Sequence, residues 1–149
     1  MNYRHTQVGA VMIAALAIMI VGAFVLMAAA PPPEGTLPAV IMLLAGLVMA
    51  SFVSLTVEIG GGTITCSFGP GFIKKRIPLH DIERATAVRN PWYVGWGIRW
   101  LPGHYYVWNV SGFEAVELVM KNGHKFRIGT DEPEALVQAI TSAKSFSGT

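Results

Sequence analysis

Cysteine occurs once in the chain, at Cys66, so no internal disulfide can form, which fits a reducing compartment. Charge is also scarce: Asp, Glu, Lys and Arg make up 13% of residues, where about a quarter is usual in soluble domains. The mean hydropathy of +0.48 agrees with that shortage. Between Gln7 and Thr56 the only charged residue is Glu34, while residues 58–149 carry ten Lys/Arg and eight Asp/Glu. A net charge of +2 that mixes both signs excludes a nucleic-acid binder working through phosphate neutralisation. No GxSxG elbow is present, and neither "GGG" (Gly60 to Gly62) nor "GPG" (Gly69 to Gly71) is followed by the helix that a phosphate loop requires.

What the chain does have is apolar length. Val8 to Ala30 is 23 residues without a charge, and as a helix it reaches roughly 34 Å. Leu37 to Leu55 adds 19 residues and roughly 28 Å. The "PPPEGT" between them cannot continue a helix, so an antiparallel transmembrane hairpin is expected over residues 1–57, with spans at 8–30 and 37–55. A cleaved signal peptide is the competing reading, since Arg4 precedes an apolar run ending in "AAA"; the run is longer than the usual 7–15 residues, which favours the uncleaved hairpin. Arg4 before the first span and Lys74, Lys75 and Arg76 after the second, against none in the connecting loop, place both termini in the cytoplasm of a multi-pass inner-membrane protein. Neither span has an ionisable side chain, which argues against a transport path. Ala10 and Ala14 in the first span and Gly46 and Ala50 in the second would let the helices pack closely, or simply reflect the composition of membrane helices.

From Leu55 onward the apolar period changes to two. Leu55, Val57 and Ile59 alternate with polar residues up to Gly60; Ile64, Cys66 and Phe68 repeat the pattern up to Gly69. Ile73, Ile77 and Leu79 line one side of the next segment, with Lys74 and Arg76 on the other and Lys75 breaking the alternation. "AVELVMKNGHKFRIGT" reads as a hairpin around Asn122-Gly123. In "TDEPEALVQAI" Asp131 can cap a helix over about 132–144, with Glu134 completing a capping box, and Leu136, Ala139, Ile140 and Ala143 form a stripe for packing on a sheet. The fold class expected is therefore α+β, a cytoplasmic domain over 58–149 of some seven antiparallel strands, sandwich or partly open barrel, with one C-terminal helix.

"IPLHDI", "WGIRW" and "VELVMKNGHKFRIGTDEPEALVQAI" together resemble small bacterial membrane proteins that join a two-helix hairpin to a pleckstrin-homology-like domain. The likeness covers nearly the whole chain. It implies two roughly orthogonal antiparallel sheets capped by a C-terminal helix, and little about a ligand.

The basic trio Lys74, Lys75 and Arg76 is a candidate for anionic-lipid contact, as headgroup-binding basic residues in this fold imply; an ordinary solvated edge is the plainer reading. His5, His80, His104 and His124 show no metal-ligand spacing, and no metal or cofactor is expected. His80 and Asp81, adjacent on a strand, would point to opposite faces. "NVS" at Asn109 matches a glycosylation acceptor that has no meaning at a cytoplasmic site. No catalytic constellation is present, so a non-catalytic module is expected that binds a protein partner or self-associates at the membrane; the alternatives are an accessory subunit of a larger membrane complex and weak lipid binding.

The stretch from Asn90 to Gly112 holds all four tryptophans. Trp92, Val94, Trp96, Ile98 and Trp100 alternate as on a strand, and after Pro102-Gly103 come Tyr106, Trp108 and Val110 on one face. Trp96, Ile98 and Trp108 are expected in the core. Trp92, Tyr93 and Trp100, with Arg99 on the opposite face, are the candidates for contact with lipid or a partner.

Overall fold

The computed structural model describes residues 2–103 and 105–147, so His104 lies outside the described residues. It is a mixed α+β fold with two sheets, an apolar helix pair and a C-terminal helix.

The first element had no counterpart in the sequence pattern. β1 (Tyr3–Val8) precedes α1 (Ala10–Ala29), and pairs antiparallel with β2 (Ser54–Gly60), which follows α2 (Thr36–Ala50). β3 (Thr63–Phe68) and β4 (Ile73–Pro78) complete a four-stranded antiparallel sheet in the order β1-β2-β3-β4. Polar cross-strand pairs hold β1 in place, with Arg4 Nε 3.0 Å from Glu58 Oε1 and the Thr6 and Thr56 hydroxyls 2.9 Å apart. β2 straddles the boundary expected at residue 57.

The two helices pack along each other and meet the sheet at one end. α1 is long and apolar enough to cross a membrane, reaching about 30 Å at 1.5 Å per residue. α2 is shorter than the span expected over 37–55, at 15 residues and about 22 Å. The reason is that Ser51–Val53 turns the chain and Ser54 onward is drawn into the sheet, where Leu55, Val57 and Ile59 bury their side chains. No linker separates helices from sheet: the Gly9 N–H donates to the Val53 carbonyl at 2.6 Å. The helix contact gathers Ala23, Ala39 and Gly46, all buried, and a methyl on Gly46 would come within 3.2 Å of Leu16 Cδ1. Ala10 and Ala14 lie on the exposed side of α1, and Ala50 is half-buried.

The second sheet has the order β5-β8-β9-β7-β6, from β5 (Ile82–Arg89), β6 (Gly97–Leu101), β7 (Tyr105–Asn109), β8 (Glu114–Met120) and β9 (Lys125–Gly129). It departs from the all-antiparallel expectation at one place: β9 returns from its hairpin with β8 into the slot beside β7 and runs parallel to it. The two sheets stay separate and do not close into a barrel. Their facing sides share one core, in which Ile64, Cys66 and Phe68 meet Trp108, Val116, Leu118 and Ile128. α3 (Pro133–Ser147) adds Leu136 and Ile140 to it. The Thr130 hydroxyl accepts from the Glu132 N–H at 3.1 Å ahead of α3, whereas Asp131, expected as the cap, faces His5.

Candidate functional site

The aromatic stretch divides into a strap and an edge strand. Its start is not a strand: Trp92–Val94 forms a turn of 3-10 helix, and Gly95 at φ 68° redirects the chain into β6. This strap lies over the outer side of the second sheet. On that side, register places Arg99, Val107, Arg127 and Glu117 in one row. Arg127 is the anchor, donating from Nε to Glu117 Oε2 at 2.8 Å and from a terminal nitrogen to Asn90 Oδ1 at 3.0 Å, with its guanidinium carbon 4.3 Å from the Tyr105 ring centre. Arg99 Nε reaches the Trp96 carbonyl at 3.5 Å, and its guanidinium lies against Gly95. Val94 and Val107 are fully buried yet outside the main core, as a small second core under the strap requires. Asn90, Arg127 and Glu117 carry this arrangement, and sequence spacing gave no sign that they meet.

With the strap pinned, Trp92 and Tyr93 point away from the protein, at 81% and 64% exposure. Trp96, expected in the core, is half-buried; it lines a cleft of about 360 Å³ with Met12, Val48, Met49 and Phe52 at the helix base, and its buried indole N–H has no hydrogen-bond partner among the described residues. On β6, Ile98 and Trp100 stand beside Trp108 and Tyr106 of β7. Trp108 is buried as expected, but Ile98 is not: with Trp100 and Tyr106 it forms an exposed apolar edge, because the first sheet does not extend over this side. Inside, Trp108 stands in a run of ring contacts from Phe52 through Phe68 (5.3 Å), to Trp108 (5.0 Å), to Phe126 (5.8 Å).

The basic trio is split by the pleat. Lys74 and Arg76 face outward, paired with Ser67 and Thr65, whereas Lys75 pairs with Cys66 on the inner side and extends over Phe126, 5.0 Å from the ring centre, and Tyr106, 5.7 Å. Lys75 thereby covers the open end of the core. Burial pushes the Cys66 thiol up to about 12, against a smaller opposing pull from Lys75.

At the other edge of that inner row sits His5, with Nε2 2.6 Å from Asp131 Oδ1 and Nδ1 3.4 Å from Glu132 Oε2, tying β1 to the start of α3. Nearby Tyr3 has its phenol pKa raised, first by burial and then by Glu132 and Asp131, and its buried hydroxyl has no hydrogen-bond partner among the described residues, beside a groove of about 330 Å³ between β1 and α3. His80 and Asp81 are not on a strand: they lie in a short 3-10 turn, and their side chains touch at 3.1 Å. Among the described residues no three His, Cys, Asp or Glu are grouped to hold a metal.

The sequence pattern missed Phe72, which at 84% exposure is the most exposed large apolar side chain described. It sits in the turn between β3 and β4, whose Gly69 N–H donates to the Ser54 carbonyl at 2.8 Å at the foot of α2. Its signal in the sequence was the conjunction "GPGF", a turn tip ending on an aromatic. No family model matches the chain, and no curated protein matches it.

Proposed function

We propose that the chain is a non-catalytic, membrane-anchored module whose α1-α2 hairpin crosses the bilayer and whose PH-like sheet domain, held at the cytoplasmic face, binds a protein partner or a second copy of the chain. The observation that carries this reading is the β6 edge, where Ile98 and Trp100 lie exposed beside Tyr106 of β7, and β6 has no strand on its outer side among the described residues. An exposed apolar edge of this kind is a template for strand addition, and Trp and Tyr are favoured anchors of interfaces. The cytoplasmic placement draws on Arg4, Lys74, Lys75 and Arg76. The PH-like assignment draws on the two sheets and the capping helix; the parallel β7-β9 pair is its departure from that pattern.

Purification in mild detergent tests the reading. The wild-type chain is expected to run with a stoichiometric partner or as a homo-oligomer, and Trp100→Ser is expected to lower recovery of the complex about tenfold or more, the effect of losing one interface anchor. A wild-type chain that runs as a lone monomer, or a Trp100→Ser complex of unchanged yield, rejects it.

A further inference from the structure

The two most exposed aromatics outside the helices, Phe72 and Trp92, belong to different sheets, yet both loops end beside the helix base. A methyl on Gly69 would come within 2.6 Å of the Ser51 carbonyl oxygen, so the Gly69–Phe72 turn abuts the end of α2. The strap begins at Asn90, whose N–H donates to the Phe113 carbonyl at 2.6 Å, next to the segment in which the Ser111 carbonyl accepts from Gln7 Nε2 at 3.2 Å. It ends at Trp96, which shares a cleft with Met12 and Val48. Lys74 folds back toward the turn, such that a methyl on Gly71 would meet its Cε at 2.9 Å, and it makes no ion pair among the described residues.

We propose that Phe72, Trp92 and Tyr93 are an interfacial membrane surface of the sheet domain itself, seated among lipid headgroups around the foot of the helices with Lys74 facing the anionic lipid. The occupant follows from position. A helix long enough to cross the bilayer starts at Ala10, so its base lies at the headgroup level, where Trp and Tyr with an apolar body and a polar tip concentrate, the wholly apolar Phe72 ring can enter the acyl boundary, and a cation gains from anionic lipid. Phe146 shows that exposure alone is not the criterion. It is exposed at 76% but lines a cleft with the Gly60–Gly62 turn, at the opposite end of β2 from Ser54 and the helices.

This rests on the reading that α1 spans the membrane, and the test separates the two. Cys66 is sealed in the core. A single new cysteine at Phe72→Cys, Trp92→Cys, Tyr93→Cys, Phe146→Cys or Phe24→Cys in the full chain can therefore carry an environment-sensitive fluorophore. The labelled chains are placed in phosphatidylcholine–phosphatidylglycerol vesicles holding lipid quenchers at shallow or deep chain positions. Labels at 72, 92 and 93 are expected to shift to the blue and to be quenched several-fold by the shallow quencher. The label at 146 is expected to stay unquenched, and the label at 24 to respond to the deep quencher. Labels at 72, 92 and 93 that behave like the one at 146, while the one at 24 is still quenched, overturn the interfacial surface alone. A label at 24 that no quencher reaches overturns the anchoring and the surface together.

Discussion

Trp108 and Trp92 belong to one aromatic stretch and have opposite surroundings. Trp108 is in a strand, flanked by Phe68 and Phe126 and almost wholly buried, while Trp92 touches the Tyr93 ring edge-on and is largely exposed. What separates them is the polar anchor under Trp92. The Asn90 side chain, held by Arg127, and the Asn90 N–H, bonded to the Phe113 carbonyl, pin the strap and leave its aromatic side chains facing outward, whereas Trp108 lies on the inner side of β7 with its ring in the core. An aromatic-rich segment is thus neither wholly core nor wholly surface, and hydrogen bonds decide which part is which.

The largest test of that contrast is a pair of truncations. Trp108→Ala is expected to lose about 3–5 kcal/mol of folding stability, because it opens a cavity where three rings meet. Trp92→Ala is expected to stay within about 0.5 kcal/mol of wild type in detergent, as an exposed site does. Chemical unfolding followed by circular dichroism measures both, and equal losses would break the comparison. Next in size is the anchor. Arg127→Met leaves the Oδ1 of the buried Asn90 without its donor and the Glu117 carboxylate with Lys125 at 3.7 Å in place of its close guanidinium partner, and is expected to cost about 2 kcal/mol. It should also speed hydrogen exchange at the Asn90 amide far more than Trp92→Ala does.

The smallest expected effect concerns the core beside Trp108. With the Cys66 thiol pushed up to about 12 from its ordinary 9.0, the folded chain holds that proton more tightly than the unfolded one. Stability from this group is therefore complete below pH 9 and is lost as pH rises toward 12. Iodoacetamide at pH 8 should leave the folded chain unmodified and label it fully once unfolded; rapid labelling of the folded chain would show that the core is open.

Much of the sheet domain was legible because its strands obey a period of two. Leu55 to Ile59, Ile64 to Phe68 and the hairpin around Gly123 lie where that alternation put them, and α3 follows its stripe of Leu136 and Ile140. β1 was illegible since Tyr3–Val8 is mostly polar, and its place comes from β2, a partner far along the chain. The end of α2 was hidden for the opposite reason: no charge and only Ser51 and Ser54 interrupt the apolar residues between helix and strand, so hydropathy alone does not mark the change at Ser51. The parallel placement of β9 beside β7 is a matter of topology that no local pattern encodes. Lys75 stood out only as a break in the alternation between Ile73 and Ile77, and the rings of Phe126 and Tyr106 over which it lies come from the other sheet.

The Gly9–Val53 hydrogen bond has a mechanical consequence. β1 and β2 are neighbours in register along their whole length, and each runs into its helix within a few residues, so the helix pair and the first sheet turn as one lever. Under the proposed anchoring, a change in helix tilt would reach the first sheet directly through these two short joints.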